Sequence, residues 1–429
     1  MTSGERVTDR RIGLPIAFPI ALKQVIGGGV IVLTGTAVGL TGTGAVLAYG
    51  IACVVVLLVS LPYAVLGAAR PMSGALYQWP ARFIHPMAGF MGFWVVLGTH
   101  VALSAYASTF GATLHAGLPV IPAGAAGLGA LALVVGLNLL GTEMSGRANI
   151  VIVLLVAASL AALAIAGIPK IDPHRLLPLL PHGWSGMLAA AALLTFPLSG
   201  ATLVSELAGE MRRPARDVPV AILGATALAA ALYVAVALVA ACVPGLPSEP
   251  SLNVVARRVM GSPCAAAFAL GTGIVSMIGI MNTHLLWGSR SMLMVCRDGW
   301  FPPGLAQLNR RGAPIFPLCL LGAIGAVPLL TRLDVADVIR IGGLGASVSA
   351  VLSIACSVLN ARADPVAYAA SPLAIPRPAL LVVSGTAIAS QFATMTLLLR
   401  TLPARLALSW IGWVAIGIII ALCRKTGAE

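Results

Sequence analysis

Two short stretches of this 429-residue chain can present bare backbone to a solute. The first is Gly27-Gly28-Gly29, followed by Val30-Ile31-Val32-Leu33 and Thr34-Gly35-Thr36. Glycine costs roughly 1 kcal/mol against alanine at each helical position, so three in succession favour local unwinding. The second is Phe196-Pro197-Leu198-Ser199-Gly200-Ala201-Thr202, where Pro197 removes a backbone donor and Gly200 relaxes the chain. Freed amides at the start of a half-helix attract a carboxylate, and freed carbonyls attract an ammonium group. A solute carrying both groups is an amino acid. The chemistry offered is recognition through backbone, with no bond made or broken.

Side chains that ionise or hydrogen-bond inside apolar segments are few. His284, beside Asn282 and Thr283, falls deep in one such segment and is a candidate for substrate contact or proton coupling, because histidine titrates near physiological pH. Ser276, about two turns before it, is a candidate for ion coordination, as is Ser347. His100 with Ser104 and Tyr106 forms a weaker group in which helix packing is the simpler role. Glu206 and Glu210 lie near Arg212, Arg213 and Arg216 and suggest a structural salt-bridge cluster. Seven cysteines are dispersed without a CxxC pair or a histidine at ligand spacing, so no metal site and no cofactor is expected. Gly42-Thr43-Gly44 lacks the strand, the helix and the Lys-Ser/Thr ending of a nucleotide loop.

The elements that must position these residues are membrane helices. The chain is 59% hydrophobic and only 9% charged, which a water-soluble domain of this length could reach only by exposing a very large apolar surface. A crossing helix needs roughly 20 mostly apolar residues, and about twelve such runs are present, continuous rather than alternating as a barrel would require. They fall at 14–40, 43–67, 86–116, 123–140, 149–168, 187–207, 219–243, 264–291, 315–331, 336–359, 378–399 and 405–423. The loop at 244–263 has an amphipathic pattern, Leu252, Val255, Val259 and Met260 against Arg257 and Arg258, that fits a short surface helix. No linker or low-complexity tract divides the chain, so a single transmembrane domain over 1–429 is expected.

The net charge of +13 is scattered singly through loops and forms no stripe for nucleic acid. Alternating the runs with the amino terminus inside puts Arg70, Arg82, Arg147, Arg212, Arg213, Arg216 and most later arginines on the cytoplasmic face. Both termini are then expected in the cytoplasm, with the chain multi-pass in the cell (inner) membrane. Arg6, Arg10 and Arg11 precede the first run without a cleavage signal, so that run is expected to remain as the first helix.

At this point the residues resemble the amino acid-polyamine-organocation (APC) transporter superfamily. Ile26-Gly27-Gly28-Gly29-Val30-Ile31 looks like the family's I-G-S-G-I-F break in helix 1. Pro62-Tyr63-Ala64 through Arg70-Pro71-Met72-Ser73-Gly74-Ala75-Leu76-Tyr77 is similar to the end of helix 2 and its loop. Gly89-Phe90, Gly92 and Trp94 continue the likeness into helix 3. Glu210-Met211-Arg212-Arg213-Pro214 with Asp217-Val218-Pro219-Val220-Ala221-Ile222 resembles E-x-x-N-P followed by I-P-x-A-I. Arg290 through Arg297-Asp298-Gly299-Trp300-Phe301-Pro302 resembles the end of helix 8.

The resemblance implies an all-α fold in the LeuT-like arrangement, a five-plus-five inverted repeat at about 14–168 and 187–359 with extra helices at about 378–423, in which helices 1 and 6 are broken. It implies that Gly27, Gly28, Gly29 and Val30 meet a substrate carboxylate, that backbone at Phe196, Ser199 and Gly200 meets the amine, and that Phe196 closes over the substrate. Asn282 and His284 join the expected substrate contacts, with His284 and Ser276 as candidates for coupling. The chain departs from the pattern at Thr202, where many members carry a carboxylate, at Val65, usually glutamate, and near Val156, where proton-coupled relatives often have a lysine.

The expectation is therefore a secondary active transporter of amino acids, most simply neutral ones, working by alternating access with protons as the coupling ion. Its partners are the solute and the bilayer. An exporter and an amine or polyamine antiporter use the same architecture. A membrane enzyme needs converging catalytic groups that the sequence does not supply, and a channel needs a repeated filter.

Overall fold

A computed structural model describes residues 12–140 and 143–426, with the side chains of 28–30, 32, 143–149, 303 and 424–426 outside the description. Arg6, Arg10, Arg11 and the side chain of Val30 thus lie outside the described residues. Among the described residues every regular element is helical, as lipid requires of a backbone that must satisfy its own polar groups.

The first apolar run is two helices, α1 (Leu14–Val25) and α2 (Gly28–Thr41). Then come α3 (Ala45–Ala69), the short α4 (Ala75–Phe83), and α5 (Pro86–Thr99), joined through a single 3₁₀ turn to α6 (Leu103–Gly117). α7 (Ala123–Leu139) and α8 (Glu143–Gly167) complete the first half of the chain, and α9 (Gly183–Leu198) opens the second and runs into a 3₁₀ helix at Ser199–Glu206. α10 (Pro214–Cys242) is followed by α11 (Leu252–Met260), which buries Leu252, Val255 and Val259 and leaves Arg257 and Arg258 exposed, as its pattern predicts. α12 (Ser262–Leu270) passes through a π-helical turn at Gly271–Val275 into α13 (Ser276–Arg297). The chain closes with α14 (Ile315–Leu330), α15 (Val335–Ala363), the single-turn α16 (Pro365–Ala369), α17 (Arg377–Thr401) and α18 (Ala404–Thr426).

Nine helical stretches among the described residues are long and apolar enough to cross a membrane, and α1, α7 and α14 are apolar but shorter. The chain is a multi-pass membrane protein. Helix ends fall within a few residues of the apolar runs in almost every case, because the charged and proline-rich punctuation sits where lipid stops. The short α4 carries too brief a run, with Pro80 inside it, to register as a span.

The halves interlock. α3 packs along α10, α1 lies against α10 and the 3₁₀ segment, and α15 packs between α5 and α17. α18 is held on the outside of α5 by a reciprocal tryptophan pair: the rings of Trp94 and Trp413 stack 4.4 Å apart, and each indole N–H donates to the other's carbonyl, at 2.8 and 3.0 Å. At one end of the bundle Gly74 takes a left-handed conformation (φ +71°) to turn the chain into α4 against Met294, where a side chain would collide.

Candidate functional site

The interruption in the first run is narrower than three glycines suggest. α1 ends at Val25, whose carbonyl is taken by the hydroxyl of Tyr233 on α10 rather than by its own helix. Ile26 and Gly27 form the gap, and α2 restarts at Gly28. Of the three glycines, only Gly27 therefore lies outside a helix. A Cβ there would come within 2.3 Å of the Ile280 side chain, so the residue is glycine because α13 crosses at that point. Gly28 and Gly29 open α2, where the first N–H groups of a helix have no partner within it.

The second interruption is not a gap at all. α9 tightens into the 3₁₀ segment without losing its helical path, Pro197 notwithstanding. A run of hydroxyls accompanies it: Thr195, Ser199, Thr202 and Ser205 each donate to the carbonyl three residues back, at 2.7–2.8 Å. Three residues per turn is the 3₁₀ repeat, and these bonds consume carbonyls an α-helix would have used. Gly200 sits where the segment crosses α1 most closely. A Cβ on it would fall 2.3 Å from the Gln24 carbonyl oxygen, so the two irregular segments touch through backbone.

Beside that crossing lies a cavity of about 70 Å³, several times the roughly 10–15 Å³ one water needs. Gln24, Phe196, Ser199, Gly200 and Thr202 line one side; Val59 and Tyr63 of α3, Thr99 and Tyr106, His284 and Trp287 of α13, and Ala346 and Ser347 of α15 line the others. No Asp, Glu, Lys or Arg is among the described lining residues. The Phe196 ring reaches across to α15, where Gly342 leaves it room: a Cβ there would meet the ring at 2.9 Å.

Of the residues expected at the site, Phe196, Ser199, Gly200 and His284 share this cavity. Gly27 faces Ile280. Asn282 does not line the cavity; its amide oxygen accepts from Asn138 of α7 at 2.7 Å. Ser276 is also elsewhere. Its hydroxyl and its carbonyl both accept from the Nζ of Lys23, at 2.8 and 2.9 Å, where α1 and α13 meet just past the π turn. Lys23 is wholly buried, packed against Gly279 and Ile152, and enters no ion pair among the described residues. His284 and His100, far apart in sequence, have rings 5.1 Å apart, with Trp287 at 4.9 Å from each. His100 Nδ1 lies 3.1 Å from the Val96 carbonyl, which only accepts, so that nitrogen carries the proton.

A family model described as amino acid permease matches residues 17–402. The chain belongs to the amino acid permease family. It is 28% identical to the branched-chain amino acid permease BcaP of Bacillus subtilis over 90% of this chain and 88% of that protein. It is also 28% identical to the methylthioribose transporter of the same organism, over 94% and 90%. An uncharacterized transporter of Mycobacterium bovis is 31% identical over 78% of this chain and 77% of its own length. Membership makes the permease a membrane transporter and not an enzyme.

Two features of the permease escaped sequence reasoning. Lys23 was visible as a lone cation inside an apolar run, which at membrane depth is by itself a mark of function. The second is a latch at the end of the bundle carrying α4. Glu206, wholly buried, accepts from the Leu76 N–H at 2.6 Å and from the Ser291 hydroxyl, while its own carbonyl accepts from Gly74 N–H at 3.1 Å. Among the described residues the expected salt-bridge cluster with Arg212, Arg213 and Arg216 is not found around it; neutral donors on α4 and α13 satisfy the carboxylate instead. Glu210 instead pairs with Arg290 in a two-pronged contact at 2.7 and 3.1 Å. Tyr77 donates to Asp298 at 2.6 Å and accepts from the Trp300 indole at 3.1 Å, closing the same end.

Proposed function

We propose that the permease is a secondary active transporter of neutral amino acids in the cell membrane. It works by alternating access, with residues 14–168 and 187–359 as inverted five-helix halves and both termini in the cytoplasm. The observation that carries the substrate class is a cavity with no charged side chain among its described lining residues, beside the crossing of α1 and the 3₁₀ segment. There the α-carboxylate needs no cation, because the opening N–H groups and partial positive charge of α2 receive it. The ammonium group meets the α1 and 3₁₀ crossing around Gln24, Phe196, Ser199 and Gly200, with Phe196 as the closing aromatic. A dicationic polyamine would need a carboxylate that the wall lacks.

Coupling to protons is assigned to Lys23 and Ser276. Removing a charge from water costs several kcal/mol unless it is paired, and among the described residues Lys23 donates to the two Ser276 oxygens. Gain or loss of its proton would strengthen or weaken the joint between the interrupted first span and α13. His284 on the cavity wall then serves the substrate. The test is uptake of labelled neutral amino acids into proteoliposomes under separate proton and sodium gradients. Accumulation driven by protons and blocked by excess unlabelled substrate supports the reading; accumulation that follows sodium alone contradicts the coupling, and no uptake of any neutral amino acid contradicts the substrate class.

A further inference from the structure

The Ser349 hydroxyl and three side-chain nitrogens lining the cavity have no hydrogen-bond partner among the described residues; the nitrogens are Gln24 Nε2, His284 Nε2 and Trp287 Nε1. Each residue is more than nine-tenths buried, at 5%, 4% and 3% exposure. Buried polar groups are almost always satisfied, so unmet nitrogens on different sides of one cavity call for an occupant that meets them. His284 and Trp287 stand one turn apart on α13, and the His100 ring packs behind both. The room for that ring comes from Gly288, where a Cβ would lie 2.1 Å from His100 Nε2.

We infer that this wall is a subsite for the substrate's side chain and that it selects an uncharged side chain bearing a hydrogen-bond acceptor, a carboxamide above all. The inference rests on the reading of the cavity as the amino acid site. The backbone at the helix interruptions serves the α-carboxylate and α-amine, which leaves these three groups for the side chain. Gln24 Nε2 and Trp287 Nε1 can only donate. A carboxamide oxygen has two lone pairs and receives both, and its NH₂ donates to His284 Nε2 when that nitrogen is unprotonated. A hydroxyl meets part of the set. A branched aliphatic side chain meets none, so it leaves buried donors unpaired at a cost its own burial must overcome. A carboxylate or a basic side chain finds no opposite charge on the wall.

The test is calorimetric binding of glutamine, asparagine, serine, leucine and valine to the purified full-length protein, repeated with Trp287→Phe, which removes one N–H and keeps an aromatic ring. The expected result is tightest binding of glutamine or asparagine, and a roughly three- to tenfold loss of their affinity in Trp287→Phe with leucine affinity unchanged. Should Trp287→Phe fail to fold, Gln24→Met carries the same comparison. Leucine or valine binding more tightly than the carboxamides, or both classes weakened equally by the variant, overturns the subsite while leaving neutral amino acid transport standing. Absence of binding by every neutral amino acid overturns the underlying site reading as well.

Discussion

Replacing Lys23 with methionine separates the buried amine's contribution to stability from its contribution to coupling. The variant keeps an unbranched chain of similar length and loses the two contacts to Ser276 at 2.8 and 2.9 Å. Two hydrogen bonds of about 0.5–1.5 kcal/mol each are lost. Against this, a cation that costs several kcal/mol to hold out of water disappears. The terms offset, so the melting temperature should change little, which separates any functional defect from a loss of stability. Coupling should change completely. A transporter that moves one proton with each solute converts one pH unit, about 1.4 kcal/mol, into a roughly tenfold concentration ratio. In proteoliposomes with a one-unit gradient, the parent protein should concentrate its substrate toward that ratio, while Lys23→Met should equilibrate it and stop. Ser276→Ala, which removes one of the two acceptors and leaves the carbonyl, should fall between them. Full tenfold accumulation by Lys23→Met would refute the assignment of coupling to this contact.

Other outcomes follow from the same contacts. Gly200→Ala places a methyl group 2.3 Å from the Gln24 carbonyl, and overpacking of this kind should cost about 1–3 kcal/mol in thermal unfolding and weaken substrate binding in parallel. Gly288→Ala drives the His100 ring out of its slot at 2.1 Å; uptake should fall because His284 and Trp287 lose their backing, and an unaltered transport rate would count against that role. Glu206→Gln keeps one acceptor oxygen but presents an NH₂ to a site built from donors. A loss of about 1–3 kcal/mol is expected in chemical unfolding. Asp364, at the surface between α15 and α16, has its carboxyl held below the usual range by the Ala367 N–H and then by Arg70. Its stabilising contribution is present above the ordinary carboxylate range and lost as pH falls through the folded-state value. The melting curves of the parent and Asp364→Asn should therefore differ at neutral pH and converge in acid.

Much of this protein can be read from its sequence because lipid makes the reading simple. Apolar runs end where water begins, and the observed helices from α7 through α18 follow the predicted runs closely for that reason. The break in the first span was legible from its glycines, although only Gly27 is outside a helix; the extra two mark where α2 starts. Proline and glycine at 197 and 200 pointed to the right place on the sixth span but to the wrong conformation. The hydroxyls at 199, 202 and 205 recur every three residues along the 3₁₀ segment, each bonded to the carbonyl three residues back. What sequence alone does not supply is the partner across the bundle. Ser276 lies 253 residues from Lys23, and Glu206 reaches Leu76 over 130 residues. Such pairs are made by helix packing, which leaves no local pattern. Asn282 beside His284 illustrates the point: neighbours in sequence, they face α7 and the cavity respectively because a helix turns about 100° per residue.

The most direct measurement of the central claim is counterflow of a labelled neutral amino acid into proteoliposomes preloaded with the same unlabelled solute, comparing the parent protein with Ala346→Trp. Ala346 lines the cavity from α15, so an indole there occupies the proposed site. The parent should accumulate label transiently, and Ala346→Trp, folded by size-exclusion and thermal criteria, should not. Equal counterflow through both proteins would contradict the placement of the substrate in this cavity.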